Sequence, residues 1–568
     1  MSEVKGTPAD LREQNPVLGD RREQMFPRLT DVQIARLRPL GRERDFRSGD
    51  LIFEQGQNDV PFYVILEGTL AVVHPKRGEP DQLIVVHEAK QFSGEMALLA
   101  GRRSLVVGRA QGDLKVLEFG PAEFRSLIQN DAELSELLMR AFILRRAMLI
   151  SSHLGEVVMV GSRHSASTLR LQEFLTRNGQ PYDYQDVERD PEAQRILDRF
   201  HLGLDDVPVL VCRGEKVLKN PTNAEVAECL GLNVSIDELA VRDVIVIGAG
   251  PAGLSAAVYA GSEGLSVLVV EANAPGGQAG SSSMIENYLG FPTGISGEKL
   301  AGLAFNQAEK FGAEITIARI AEGLRCERRP YQLEVADGVT VSGRTVVIAS
   351  GAEYRKPEID GLAKFEGVGV YYGASHLEAL RCEGEELVIV GGGNSAGQAA
   401  VFLAQTASQV TVMVRGAALA ESMSRYLIQR IDKTPNIRVR TRTQIVALGG
   451  EGHLERVTCV DDATGERQTH DVRHVFMMTG AKPNTDWLRR CVTLDEKGFV
   501  KTGADLTADE LLAAKWPLAR RPYLLETSLP GIFAVGDVRS ESVKRVAAAV
   551  GEGSTCIQLV HRVLAEGH

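Results

Sequence analysis

Residues 241–257 read VRDVIVIGAGPAGLSAA, and no other stretch limits the fold so severely. The apolar run 244–247 has the pattern of a buried parallel strand. It breaks into Gly248, Ala249, Gly250, Pro251, Ala252 and Gly253, and then into a small-residue helix over 254–260. The first glycine permits a tight turn, the second lets the backbone approach a pyrophosphate, and the third lets helix and strand pack closely. N–H groups at such a helix start favour a dinucleotide's negative charge. A second strand, 266–270, ends in Glu271, 23 residues on from Gly248, where a carboxylate can bind ribose hydroxyls. Strand, glycine turn, helix and acid together predict a dinucleotide site.

At 568 residues, this unit is one of three or four domains. Forty-four per cent apolar residues suffice for real cores, yet no apolar run approaches the ~20 residues of a membrane span. The start, MSEVKGTPADLREQNP, has no apolar signal region, so the expected location is cytoplasmic, without a membrane partner. A net charge of −11 argues against a nucleic-acid partner. Cys212, Cys229, Cys326, Cys382, Cys459, Cys491 and Cys556 are scattered, with no Cys-x-x-Cys, so isolated buried thiols are expected and no metal site, with a disulfide between distant cysteines as the alternative.

Residues 1–21 are polar and read as a flexible N-terminus. Over 22–130 short β-runs alternate with turn residues, the pattern of a small barrel or jelly roll. In its middle lies QFSGEMALLAGRRSL, residues 91–105. The region 22–152 resembles the cyclic-nucleotide-binding domain of catabolite activator proteins and cyclic-nucleotide-dependent kinases. The resemblance assigns a cyclic nucleotide, or another anionic small ligand, to Gly94, Glu95, Arg103 and Ser104. The end of the family's cassette is shortened here to Arg102, Arg103, Ser104, Leu105 and Val106. Residues 131–152 carry apolar side chains at helical spacing. They match the family's signalling and dimerising helix, and no helix-turn-helix follows.

Residues 153–236 begin with a strand, VVMVG, then a helical pattern over 169–177, a strand near 182–186 and Asp206-Val207-Pro208-Val209-Leu210. This resembles a glutaredoxin or thioredoxin fold, in which a cis proline such as Pro208 faces a Cys-x-x-Cys turn. Here the turn reads GSRHSASTLR, without cysteine, so dithiol exchange is excluded. A docking or spacer role is expected, with glutathione-like or partner-protein binding as the alternative.

Beyond the opening fingerprint, Gly277, Gln278, Asn287, the strand 346–350 leading to Gly351 and Ala352, and Gly531–Val538 with Gly536 and Asp537 follow in order. Arg545 and Val546 open the last helix. Together these resemble the FAD-binding domain of the low-molecular-weight thioredoxin reductases, in two parts, 241–356 and 481–568. The resemblance places FAD against Gly248, Gly250, Pro251, Gly253, Glu271, Gly277, Gln278, Asn287, Ala352, Gly536, Asp537, Arg545 and Val546. Between the parts, 357–480 repeats strand, turn and helix with Gly391, Gly393, Asn394, Ser395 and Ala396. Its second strand ends in Arg415, where a 2′-phosphate partner belongs, so NADPH is expected over NADH. The expected fold class is therefore multidomain: a β jelly-roll barrel, a thioredoxin-like α/β domain and two Rossmann-like domains, the second inserted in the first.

Thioredoxin reductases carry Cys-Ala-Thr-Cys-Asp just before the pyridine-nucleotide strand. The matching residues here are Ala374, Ser375, His376, Leu377 and Glu378. His376 as a proton donor and Glu378 as a retained acid are the catalytic candidates. For Glu378 the competing reading is a carboxylate stabilised at a helix N-terminus. The expected function is hydride transfer from NADPH to FAD and on to an external acceptor, either a redox partner protein or a small molecule. The alternatives are a thioredoxin-disulfide reductase using thiols outside the missing pair, and a flavin- and nucleotide-regulated sensor with little turnover. Both resembled families commonly dimerise, so a homodimer is expected.

Overall fold

The computed structural model describes residues 22–566 except 58, 76–80, 95–103, 105, 152–156, 164, 213–215, 234–235 and 489–490. The segment 1–21, read as flexible, lies outside the described residues. The chain forms two compact units. One runs to Val160 and takes in Gly179–Ile236 and Asn306–Ile317; the other comprises Gly161–Asn178, Asp237–Phe305 and Ala318–His568.

In the first unit the long strands Phe62–His74 and Val107–Phe119 pair antiparallel along their length. Arg42–Phe46 and Leu51–Phe53 add to the latter, and Gln82–His87 and Phe92–Ser93 to the former. Phe62 is fully buried and meets the rings of Phe92, Phe119, Phe124 and Phe142. Two of those rings come from helices, Pro121–Asn130 and Ala132–Ser151. The second helix agrees with the sequence pattern. The β-run reading missed Pro121–Asn130 and Asp31–Leu37, although Thr30 and Gln33 form a capping box at the start of the latter.

The same unit holds a four-stranded sheet in the order Lys216–Lys219, Val209–Cys212, Val157–Gly161, Asp183–Asp186. Val209–Cys212 runs antiparallel to both of its neighbours. The Val207–Pro208 peptide bond is cis.

In the second unit the strands Val267–Val270, Val241–Ile247 and Val339–Ile348 lie parallel, side by side. Ile532–Ala534, almost 200 residues later, adds parallel to Val346, Val347 and Ile348, so the two ends of this unit share one sheet. Tyr331–Val335 and Ala321–Arg325 extend it antiparallel. A second, parallel sheet runs Val370–Tyr371, His474–Met477, Glu386–Val390, Gln409–Val414, Ile437–Thr441. The two sheets are joined by a two-strand ribbon, Ala352–Tyr354 against Ala481–Pro483. The central strands of both parallel sheets are almost wholly apolar; in the second sheet the face with Leu387 and Ile389 packs on the helix Asn394–Leu403, and the face with Val388 and Val390 packs on the antiparallel strands Thr443–Gly449 and Arg456–Asp461. Among the described residues no helix is long and apolar enough to cross a membrane.

Candidate functional site

Both parallel sheets end in the same construction. Gly248 has φ +99°, and a Cβ there would lie 2.4 Å from the Ala349 carbonyl oxygen. Gly391, at the end of the other sheet's Glu386–Val390 strand, has φ +148°, and a Cβ would lie 2.4 Å from the Met478 carbonyl oxygen. Only glycine meets both conditions at each turn. Two residues on, the backbone is open: a Cβ at Gly250 would have only the Gly277 Cα nearby, at 3.9 Å, and one at Gly393 would meet nothing within 4 Å. Gly250 and Gly393 are N-caps of the helices Pro251–Ser262 and Asn394–Leu403, and no side chain caps either helix. First-turn N–H groups lack intrahelical partners, so each turn presents uncapped donors at an open face, as a pyrophosphate requires.

The third positions differ. A Cβ at Gly253 would stand 1.9 Å from the Gly248 carbonyl oxygen. Its counterpart, Ala396, is fully buried in the second sheet's core, so it packs helix against strand and offers no surface to a ligand. Asn394 is likewise engaged, accepting the Ser424 N–H at 2.7 Å. Ser395 is exposed and hydrogen-bonded to Tyr354 of the ribbon. Arg415 follows the Gln409–Val414 strand and is exposed.

Glu271 is buried, and its carboxylate accepts the N–H groups of Ala249 (2.6 Å), Asn273 (2.8 Å) and Ala274 (3.2 Å). It ties the glycine turn to the neighbouring loop, a role the ribose reading did not include. Burial pushes its pKa up, against the three N–H groups and Arg177. Gly276 and Gly277 both have positive φ, and Gly276 N–H donates to Ala249 O at 2.7 Å. Gln278 Nε2 donates to Ala352 O at 2.5 Å, linking this loop to the ribbon.

Gly536 follows the Ile532–Ala534 strand. Its φ is +73°, and a Cβ would approach the Ala252 Cβ at 2.9 Å. Asp537 is held up in pKa by burial, opposed by Lys544, whose Nζ donates to the Asp537 carbonyl at 2.8 Å. Arg545 caps the helix Val546–Ala565, which packs on Pro251–Ser262 through Ser255 Oγ and Val550 O at 2.8 Å. Gly248, Gly250, Pro251, Gly253, Glu271, Gly277, Gln278, Ala352, Gly536 and Asp537 thus converge on the C-terminal ends of one sheet. Arg545 and Val546 stand beside them at the start of the last helix. Asn287 is exposed in the loop between the bridged residues Ile285 and Ile295.

Gly373, just before the segment that carries the catalytic candidates, lies close to the continuation of the Gly276–Gln278 loop: a Cβ there would lie 4.0 Å from Ser281. An ion pair, Arg430 Nη1 to Glu286 Oε2 at 2.5 Å, ties the two dinucleotide folds together. His376 opens the helix His376–Arg381. Glu378 is buried and turns back on that helix, accepting Ser375 N–H at 2.8 Å and the Ser375 hydroxyl. These are the bonds of a helix cap. Burial raises its pKa. Cys382 is fully buried, its thiol donates to Glu378 O at 3.1 Å, and burial pushes its pKa up to about 12.

The expectation of seven isolated thiols is corrected. Cys212, Cys229, Cys382, Cys459 and Cys556 are buried thiols, but Cys326 and Cys491, 165 residues apart, form a disulfide. It follows Arg325, which is level with Gln332, Ser342 and Val241 across the sheet. Gly248 is seven residues further along its strand, about 20 Å away at ~3.3 Å per residue. The disulfide therefore sits at the opposite end of the sheet from the glycine turn.

Of the N-terminal ligand candidates, Glu95 and Arg103 lie outside the described residues. Gly94 has φ +128°, and its carbonyl accepts Arg145 Nη1 at 2.7 Å. Ser104 Oγ donates to Val106 O at 2.8 Å within its own loop. The side chain missed by sequence reasoning is Arg177: its Nη2 donates to Gly277 O at 2.8 Å across 100 residues, a contact with no local signal.

Residues 242–553 match the pyridine nucleotide-disulphide oxidoreductase family, and residues 43–131 match the cyclic nucleotide-binding domain. The thioredoxin reductase of Bacillus subtilis (strain 168) is 34% identical over 332 residues, covering 58% of this chain and 97% of that protein. An NADH dehydrogenase of the same organism is 29% identical over 357 residues, 61% of this chain and 64% of that protein. The crystal structure of T. acidophilum thioredoxin reductase superposes with a TM-score of 0.51 at 28% identity, over 56% of this chain and 98% of that one. Two glycine turns on two sheets, a match across more than half of the chain and a relative covered almost end to end lead to one conclusion: the chain belongs to the pyridine nucleotide-disulphide oxidoreductases, as an FAD- and NADPH-dependent enzyme of thioredoxin reductase-like build.

Proposed function

We propose that this enzyme oxidises NADPH and delivers the electrons to an acceptor outside the chain, with no thiol pair of its own in the path. The observation that carries this reading is the segment 374–378. It follows Gly373, which lies beside Ser281, and it reads alanine, serine, histidine, leucine and glutamate, without sulfur. The nearest thiol, Cys382, is buried and held protonated. The Cys326–Cys491 disulfide is too distant for direct exchange, because thiol–disulfide chemistry requires contact between the reacting atoms.

When bound, FAD supplies the two-electron carrier between donor and acceptor. The chain's own residues bind, orient and limit access. The turn at Gly248, Gly250 and Gly253 and the loop at Gly277 and Gln278 would hold its dinucleotide part, with Asp537, Arg545 and Val546 at the last helix. Gly391 and Gly393 would take the pyrophosphate of NADPH, and Arg415 its 2′-phosphate. An exposed guanidinium directly after the strand, where an NAD site would carry an acid, favours the phosphorylated nucleotide. Replacing Arg415 by alanine should raise the KM for NADPH about tenfold to a hundredfold, the worth of a charge-assisted contact, and leave that for NADH unchanged. Steady-state kinetics with both nucleotides check this.

Anaerobic titration with NADPH tests the central reading. Flavin absorbance should bleach after one equivalent, and further NADPH should remain unoxidised. Consumption of a second equivalent would restore the disulfide-reductase reading, with Cys326–Cys491 as the second acceptor.

For the N-terminal region we infer a barrel that binds a small anionic ligand, a cyclic nucleotide first among them, and regulates the reductase. The family match over 43–131 and the antiparallel sheet around Phe62 support it. Residues 153–236 are read as a thioredoxin-like domain without redox function. Their strand order, fourth-third-first-second, and the alternation of strands and helices support that reading.

A further inference from the structure

The helix Ala166–Arg177 belongs by sequence to the region before the reductase, yet it packs against both dinucleotide folds. Near its start, Leu169 is buried in the core around Tyr371, Ala379, Cys382 and Leu387. The carbonyl of Arg163, just before the helix, accepts Arg381 Nη1. At the other end, about 16 Å along at 1.5 Å per residue, Arg177 reaches the loop after Glu271. Its Nη2 donates to Gly277 O at 2.8 Å and to Ala274 O at 3.5 Å, and Nη1 pairs with Glu173 at 3.4 Å. The guanidinium is mostly buried.

We propose that Arg177 is a positioning residue for FAD: from outside the dinucleotide fold it fixes the left-handed Gly276–Gly277 turn that presents Gly277 and Gln278 to the cofactor. Two consecutive residues at positive φ leave a turn whose carbonyls cannot all find partners in its own backbone. Arg177 satisfies one of them with a charged, buried donor, the stronger class of hydrogen bond. The same loop then holds Gly276 N–H on Ala249 O and Gln278 Nε2 on Ala352 O. Releasing Gly277 would loosen both the glycine turn and the ribbon contact. The positive charge also favours the ionised form of Glu271, which braces the loop from the opposite side. A helix that resembles the first helix of a thioredoxin-like domain would thus complete the reductase's cofactor cradle, and the two regions could not be separated without cost to FAD binding.

This inference rests on the reading that Gly277 and Gln278 line FAD, and the variants separate the two. Arg177→Met keeps the aliphatic stem and removes the charge; Arg177→Lys keeps the charge with one donor group; Gln278→Ala tests the loop itself. Each full-length protein is stripped of flavin, and FAD is added back while its fluorescence is followed. Arg177→Met should weaken FAD about tenfold, with the KM for NADPH unchanged, and Arg177→Lys should recover most of the loss. Glu173→Gln, which removes the helix's own ion pair and leaves the Gly277 bond in place, should bind FAD as the wild type does. An unchanged FAD affinity in Arg177→Met beside a weakened Gln278→Ala overturns the role of Arg177 and leaves the loop reading standing. Unchanged affinity in both overturns both. Equal weakening in Glu173→Gln would show that helix docking in general, and not the Gly277 bond, is responsible, and would also overturn the proposal.

Discussion

Gly253→Val should give a protein without bound flavin. The side chain would be built from a Cβ placed 1.9 Å from the Gly248 carbonyl oxygen and 3.0 Å from its carbon, with the Ala349 methyl at 3.3 Å on the other side. These first obstacles are backbone, so no rotamer relieves them. The helix Pro251–Ser262 must lift off its strand, carrying its N-terminus away from the pyrophosphate position. The cost of such overpacking is about 1–3 kcal/mol or more, and the displaced donors add their own loss. FAD affinity should fall at least about a hundredfold, read as the ratio of flavin to protein absorbance after gel filtration. Gly250→Ala provides the contrast. Its Cβ meets only a Cα at 3.9 Å, so thermal stability should stay near wild type while FAD binding weakens. A yellow, active Gly253→Val would mean that this turn does not hold the cofactor.

Gly391→Val should separate the two nucleotides. The residue combines φ +148°, a region closed to β-branched side chains, with a Cβ position 2.4 Å from the Met478 carbonyl oxygen. The turn must rearrange, and with it the start of the helix Asn394–Leu403. Nothing in the first sheet depends on Gly391, so the protein should purify yellow and be bleached by dithionite. Its reduction by NADPH should slow at least about a hundredfold, measured by anaerobic stopped flow at the flavin absorbance. Equal loss of flavin in both variants would show that the two folds are not independent in cofactor binding.

The two glycine turns were legible because their constraints are local. Each turn's conformation and its open face are set within one strand–turn–helix unit, so spacing alone reveals them. The same locality explains Glu378. Ser375 and Glu378 stand at the spacing of a capping box, and the helix-terminal reading of the acid agrees with its bonds to Ser375. What escaped the sequence depends on tertiary proximity. No pattern links Cys326 to Cys491 or Arg177 to Gly277, because the partners meet only after separate strands have taken their places in the sheet. Ala396 matches the third position of a fingerprint by spacing, and its complete burial in the second sheet's core is likewise a product of tertiary packing.

The disulfide alters the connectivity of the molecule as well as its redox chemistry. Cys326 precedes the first ribbon strand, Ala352–Tyr354, and Cys491 follows the second, Ala481–Pro483, so the bridge closes a covalent ring that contains the whole pyridine-nucleotide fold. The inserted fold is thus a loop tied off at its neck. Unfolded chain with this closure has fewer conformations to lose, worth about 5 kcal/mol for so long a loop in the chain-entropy account. A single backbone cut anywhere in the ring would leave one molecule in one piece, and the nucleotide fold would stay tethered to its flavin partner from both ends.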